Sequence, residues 1–189
     1  MRQSPRSLLP ALLLLTLTAG CASAPVAGNT GQGEPLPTDQ SFLAAAAREG
    51  LAEVRYAELA EERSHNPEVK TFAHTVLDHY RTTNAALRQI AASKGIPLPE
   101  GLDKVQEWDL NALNRLYTFE FDRYYVNMVA EYHIKDVREF RHEERHAADP
   151  DLRAFSHGVL KIMEMDRDQA QELVPHYGHG RTYGGDTPQ

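Results

Sequence analysis

Apolar residues recur at helical spacing along most of this chain. They are separated by alternating intervals of four and three residues, so that each set falls on one face of a helix. The segments that share this spacing are 42–60, 69–90, 122–140 and 152–173. A shorter apolar run covers about 103–117, and no segment of useful length alternates with the period of two that a half-buried strand requires. The pattern predicts an all-α protein with four long helices and one short helix.

Residues that start and stop helices divide the pattern into separate elements. Asn66 and Asp149 each stand directly before a proline, an order typical of a capped helix start. Gly95 ends the second long helix, and the two prolines within 96–99 force an extended connection. We therefore expect an up-down four-helix bundle over residues 38–177, with a short extra helix in the connection between helices 2 and 3.

Each apolar stripe is interrupted near its middle by acidic residues or histidine. At a rise of about 1.5 Å per residue, Glu53 and His79 lie about 19 and 20 Å from the turn that joins their helices. His133 and Asp166 lie about 23 and 26 Å from the turn between theirs. All four side chains are thus expected near one level of the bundle, where an unpaired charge would be costly to bury.

Two interpretations of this polar layer remain open. In one, the layer holds one divalent metal ion of unspecified identity, as carboxylate and histidine side chains do in other helical bundles. In the other, the same side chains satisfy each other through hydrogen bonds, and no metal is involved. The candidate ligands are Glu53, His79, His133 and Asp166, with Glu49 and Asp122 as weaker candidates.

Two short motifs stand out within the helical pattern. The first is the pair Asp78-His79. The second is the pair Phe121-Asp122, which is followed eleven residues later by His133. Together with the flanking helices they resemble the bacterial family called domain of unknown function 4142, over essentially all of 40–175. The resemblance implies a ferritin-like bundle in an exported or membrane-attached protein whose biochemical function is not established. The family usually has histidine where this chain has Asp166, a change that favours harder ions.

The N-terminal residues have the features of an export signal. Arg2 and Arg6 precede an apolar run over 7–19, which is too short to span a bilayer. The run ends in Leu-Thr-Ala-Gly before Cys21, which resembles the lipobox of bacterial lipoproteins and implies that Cys21 is lipidated. A plain secretory signal that leaves a free thiol is the alternative.

Lipidation of Cys21 would place the protein on a membrane surface. We expect residues 1–20 to be a signal peptide, 21–37 a lipid-anchored flexible tether and 178–189 a disordered tail. The residue after the cysteine is alanine rather than aspartate, which by the same resemblance implies the outer membrane, facing the periplasm. A protein partner or a homo-oligomer is left open.

Composition excludes several classes of protein. The chain has 27 acidic and 20 basic residues and a formal net charge of −7, so it lacks the basic balance of a nucleic-acid-binding protein. Its single cysteine cannot form an intrachain disulfide or a four-thiolate zinc site.

Two signatures of metalloenzymes occur at positions that argue against their use. Residues 142–146 match the H-E-x-x-H pattern of zinc proteases, but they lie in a highly charged helix end. The Glu-x-x-His pairs typical of di-iron bundles occur only beside turns, outside the polar layer.

The sequence therefore favours an envelope lipoprotein whose bundle is a binding or structural module. A metal-dependent redox or hydrolytic enzyme that uses the polar layer is one alternative, and a metal-free scaffold that binds a protein is another.

Overall fold

Five helices account for most of residues 37–178, the part of the chain that the computed structural model describes. The elements are α1 (Pro37–Arg63), α2 (Pro67–Ser93), α3 (Lys104–Arg115), α4 (Thr118–His146) and α5 (Pro150–Tyr177). No strand occurs within 37–178. The prediction of an all-α bundle with a short helix between the second and third long ones is confirmed. The predicted signal peptide, the tether up to residue 36 and the tail beyond residue 178 lie outside the described residues.

Side-chain caps begin α2 and α5 as the sequence predicts. The Asn66 side chain accepts a hydrogen bond from the Glu68 backbone N–H at 2.8 Å. Asp149 accepts from the N–H groups of Asp151 and Leu152, at 2.8 and 3.4 Å. These bonds satisfy N–H groups that have no partner within the helix, which is why both helices begin where they do.

The helices form two antiparallel hairpins, α1 with α2 and α4 with α5, which pack against each other through α2 on α5 and α1 on α4. At one end of the bundle, Lys94 after α2 lies 2.5 Å from the Asp149 carboxylate before α5. At the other end, the Arg63 guanidinium donates to the Leu113, Asn114 and Leu116 carbonyls that end α3. The chain therefore travels the length of the bundle between α2 and α4, and α3 packs on α1 and α4 along the way.

Close packing of α1 on α2 depends on one glycine. The Asn84 side chain donates to the Gly50 carbonyl at 2.9 Å, and a β-carbon at Gly50 would lie 1.9 Å from the Asn84 side-chain oxygen. Aromatic side chains join the hairpins elsewhere, since Phe140 packs on Phe42 with a ring-centre distance of 5.1 Å.

None of the helices within 37–178 combines the length and the apolar composition that a membrane-spanning helix requires.

Candidate metal centre

The polar layer brings three of the four predicted side chains into contact. Asp166 on α5 lies between two histidines from neighbouring helices. Its carboxylate oxygens are 2.8 and 3.0 Å from the Nδ1 atom of His79, and one of them is 3.8 Å from the Nε2 atom of His133. Asp166 and His133 are fully buried, whereas the His79 side chain is 27% exposed. The layer therefore spans the interior of the bundle and reaches solvent on the α2 side.

Hydrogen bonding fixes which nitrogen of each ring carries a proton. The Nδ1 atom of His133 lies 3.0 Å from the Val129 carbonyl oxygen, which can only accept, so this nitrogen is the donor. In the neutral ring the Nε2 lone pair then points into the core, the state in which histidine binds metals. The Nδ1 atom of His79 likewise donates to Asp166, which leaves its Nε2 on the far side of the ring.

Glu53 on α1 is the fourth predicted member, and no described side chain forms a hydrogen bond with its carboxyl group. The residue is 2% exposed, and neither carboxylate oxygen has a hydrogen-bond partner among the described residues. Burial raises the pKa of Glu53 well above its usual value, and the neighbouring charges of Asp136, Glu49, Asp166 and Asp109 raise it further. The Tyr125 hydroxyl and the His133 Nε2 atom are also buried without a hydrogen-bond partner. Buried polar atoms without a partner are uncommon in a protein core, so these atoms require an explanation such as strain, a bound water or a bound ion.

A pocket of about 260 Å³ opens beside the polar layer, between α1, α4 and the start of α3; we call it the α1/α4 pocket. The residues that line it are Glu49, Ala52, Glu53, Tyr56, Asp103, Val105, Gln106, Tyr132, Lys135 and Asp136. Glu49, Asp136 and the adjacent Glu139 each bring an oxygen to within 4.8 Å of the others, the one set of metal-ligand type that does so within 37–178. The four predicted side chains of the polar layer do not gather their ligand atoms to that separation.

Tyr80 connects the pocket with the polar layer. Its hydroxyl donates to the Asp136 carboxylate at 3.2 Å, and its ring packs edge-on against the His133 ring at 5.7 Å. Burial and the charge of Glu49 raise the pKa of Asp136 well above its usual value, although the nearby Lys135 ammonium opposes this shift. Burial also raises the pKa of Tyr80. Tyr80 is therefore a hydrogen-bond donor over the whole physiological range.

The two weaker candidates lie in different places. Glu49 lines the α1/α4 pocket and forms an ion pair with Lys135. Asp122 is buried near the turn between α1 and α2, where burial raises its pKa and a hydrogen bond from the Ser64 side chain lowers it. At a rise of about 1.5 Å per residue, Asp122 is about 16 Å along α4 from His133 and does not belong to the polar layer.

The H-E-x-x-H match lies at the end of α4, away from the polar layer. His142 and His146 are exposed and stack on each other, with ring centres 4.4 Å apart. Glu143 is buried instead, and its Oε1 atom has no hydrogen-bond partner within 37–178. The glutamate and the two histidines therefore face different surroundings.

Three residues of this region were not predicted from the sequence: Tyr80, Lys135 and Asp136. Tyr80 belongs to a second buried stripe of α2, since Ala73, Leu77, Asn84 and Leu87 are buried with it at the same spacing. This stripe could have been found by testing both faces of the helix. Nothing in the sequence shows that the exposed, charged Lys135 lies against acidic residues of another helix.

Two solved structures share this fold. The crystal structure of a DUF305 fragment from Deinococcus radiodurans superposes with a TM-score of 0.69 and 13% sequence identity, covering 76% of this chain and 99% of that chain. CopM in its Cu(I)-bound form superposes with a TM-score of 0.62 and 15% identity, covering 73% and 96%. Identities this low show the ferritin-like helical fold alone. A comparison with curated proteins finds no match.

Comparison with family models gives a match that spans most of the chain. The model described as "Domain of unknown function (DUF4142)" matches residues 24–173, a range that includes the four long helices almost to the end of α5. The chain therefore belongs to the DUF4142 family, as its motifs predicted.

Proposed function

We propose that this protein is a metal-binding module of the cell envelope that holds one divalent ion in its polar layer. One observation supports the proposal above all others. The Nε2 lone pair of His133 and both oxygens of Glu53 are buried without hydrogen bonds, beside the carboxylate of Asp166. A metal-free role for the layer would require these groups to satisfy each other, which they do not in the described geometry.

The four side chains of the polar layer would have two different roles, three as metal ligands and one as a positioning residue. Glu53, His133 and Asp166 would be ligands, after side-chain rotations that bring their free atoms to one point. His79 would act as a positioning residue, because its Nδ1 proton is donated to Asp166 and orients that carboxylate. Hydrogen bonds of this kind, made to a ligand rather than to the metal, commonly contribute about 10- to 100-fold to metal affinity.

The donor set indicates which ions would fit. CopM was solved with Cu(I), a soft ion that prefers thiolate or thioether ligands. The polar layer here offers imidazole and carboxylate ligands. The nearby Met163 sulfur lies 3.4 Å from the Tyr80 hydroxyl, whose one proton is donated to Asp136. We therefore infer a divalent ion of intermediate hardness, such as Zn²⁺ or Co²⁺, rather than Cu(I).

Location is the second part of the proposal. Export through the signal at 1–20 and lipidation of Cys21 would hold the bundle at the periplasmic face of the outer membrane. A bundle in that position would meet metal ions in the periplasm, before they reach the cytoplasm. This part depends on the N-terminal sequence and not on the geometry of the helices.

Metal titration of the full chain tests the proposed centre. Wild type should bind about one Co²⁺ with the visible spectrum of a low-coordinate site. His133→Ala should abolish that spectrum, and His79→Gln should keep it with about 10- to 100-fold weaker affinity. His157→Ala is the matched control, because this exposed histidine lies on α5 and pairs with Glu144 at 2.6 Å. If wild type and His133→Ala bind Co²⁺ equally, the proposal is wrong.

A further inference from the structure

The α1/α4 pocket contains a cationic side chain among several acidic ones. The Lys135 ammonium forms ion pairs with Glu49 from the opposite helix and with Glu139, the latter at 3.4 Å. Asp136, which is 2% exposed, completes the set of oxygens that lie within 4.8 Å of one another. Three carboxylates thus lie close together, and the Lys135 ammonium pairs with two of them, Glu49 and Glu139.

A second observation in the same pocket is a buried carboxylate that the Lys135 ammonium does not contact. It belongs to Glu53, which is also proposed as a ligand of the polar-layer metal. Glu53 lines the same pocket, is 2% exposed and has two carboxylate oxygens without a hydrogen-bond partner in 37–178. Acidic groups at a surface need no ligand, but a buried carboxylate without a donor does. Lys135 is 46% exposed, and no ion pair or hydrogen bond joins it to Glu53 among the described contacts.

We propose that the α1/α4 pocket is a second cation site, for a hard ion coordinated by the oxygens of Glu49, Asp136 and Glu139, in which the Lys135 ammonium occupies the cation position until such an ion displaces it. The inference goes beyond the metal centre proposed above, because it uses no imidazole. Glu53 lies between the two sites and faces this one from the pocket wall.

The chemistry of the pocket selects the class of ion. Its ligand atoms are all oxygens, which suit Ca²⁺, Mn²⁺ or a trivalent lanthanide rather than a thiophilic metal. A volume of about 260 Å³ leaves room for several water molecules, which occupy about 30 Å³ each in the liquid. Hard ions usually keep some of their water, so three protein carboxylates would be sufficient.

Displacement of lysine sets the direction of the expected effects. Lys135 is attached to the chain by a flexible stem and is half-exposed, so its ammonium can leave the pocket without disturbing the core. An incoming ion must compete with it. Removal of the ammonium should therefore strengthen ion binding, whereas removal of a carboxylate should weaken it.

Terbium luminescence tests this inference in the full chain. Tb³⁺ is a hard, oxygen-seeking ion whose emission increases when a nearby tyrosine transfers its excitation energy, and Tyr56 and Tyr132 line the pocket. Wild type should show emission that Ca²⁺ or Mn²⁺ reverses by competition. Lys135→Met should bind Tb³⁺ about tenfold more tightly, because a competing charge is lost. The double variant Glu49→Gln with Glu139→Gln should bind at least about tenfold more weakly.

Matched variants separate this site from the metal centre and from general charge effects. Lys161→Met and Glu120→Gln make the same changes at exposed positions outside the pocket, and both should bind Tb³⁺ as wild type does. His133→Ala should lose Co²⁺ and keep Tb³⁺, whatever becomes of the proposed metal centre. Unchanged or weaker binding in Lys135→Met would overturn the inference, as would wild-type emission from the double glutamine variant.

Discussion

A buried glutamate near the end of α4 gives the protein a pH-dependent weakness. Burial raises the pKa of Glu143 to about 7, and the charge of Asp39 contributes to the same shift. The folded state therefore binds a proton that the unfolded state releases at a lower pH. Stability should fall as the pH rises from about 4.5 to about 7, and the penalty should be fully present above that window.

Glu143→Gln should remove this penalty. We expect the free energy of unfolding to rise by about 1–3 kcal/mol at about pH 8. It should change little at about pH 4, where Glu143 is mostly protonated in both the folded and the unfolded state. Urea unfolding at the two pH values measures the difference. The control is Glu144→Gln, which removes the same charge from the adjacent residue, one that pairs with His157 at the surface. A difference in stability between Glu143→Gln and wild type that has the same size at both pH values would contradict this account.

Residue patterns in the sequence predicted which side chains face inward, but not how they pair. Glu53, His133 and Asp166 are buried as the apolar stripes require. The bonding of His79 to Asp166 depends on ring rotation and on helix positions to within about one ångström, and spacing of residues along a chain does not determine these. The Lys135 ion pairs could not be predicted for the same reason, since an exposed charge has many partners within reach.

At the scale of elements, the contact between α1 and α2 depends on the lack of a side chain at one position. Gly50→Ala should destabilise the protein by about 1–3 kcal/mol, because the new methyl group forces Asn84 to rotate and give up its bond to the residue 50 carbonyl. Gly158→Ala is the opposite control: nothing lies within 4 Å of its added carbon, and it should stabilise α5 by about 0.5–1 kcal/mol. Denaturant titration of both variants measures the contrast, and a loss of equal size in both would show that the α1–α2 contact is not the cause.

Helix ends were predictable because their signals are local. Asn66 and Asp149 cap the helices that follow them, and each acts on N–H groups only two or three residues away. The place where α3 packs on the bundle could not be predicted from the sequence. The helix is held by the Arg63 guanidinium on the carbonyls at its end and by the Tyr56 hydroxyl on the Gln106 carbonyl, contacts between residues about fifty positions apart.

At the scale of the whole molecule, the predicted attachment to the membrane depends on the sulfur atom of Cys21. Cys21→Ser should move the protein from the membrane fraction to the periplasmic fraction, because each acyl CH₂ that enters a bilayer contributes about 0.8 kcal/mol. Cell fractionation and the mass of the N-terminal peptide measure the change. Ser23→Ala is the control in the same segment and should leave the protein on the membrane. Membrane retention of Cys21→Ser would show that lipidation at this residue is not the anchor.

The bond between His79 and Asp166 joins residues 87 positions apart, one in each hairpin. If one hairpin slid along the other by a helical turn, about 5.4 Å, the Asp166 carboxylate would lose His79 while it remained in the core. Breaking a buried ion pair by taking away one partner costs about 3–5 kcal/mol. Apolar stripes with four-three spacing match nearly as well after such a slip, so they do not select one alignment. The polar layer therefore sets the register of the two hairpins, whether or not it also holds a metal ion.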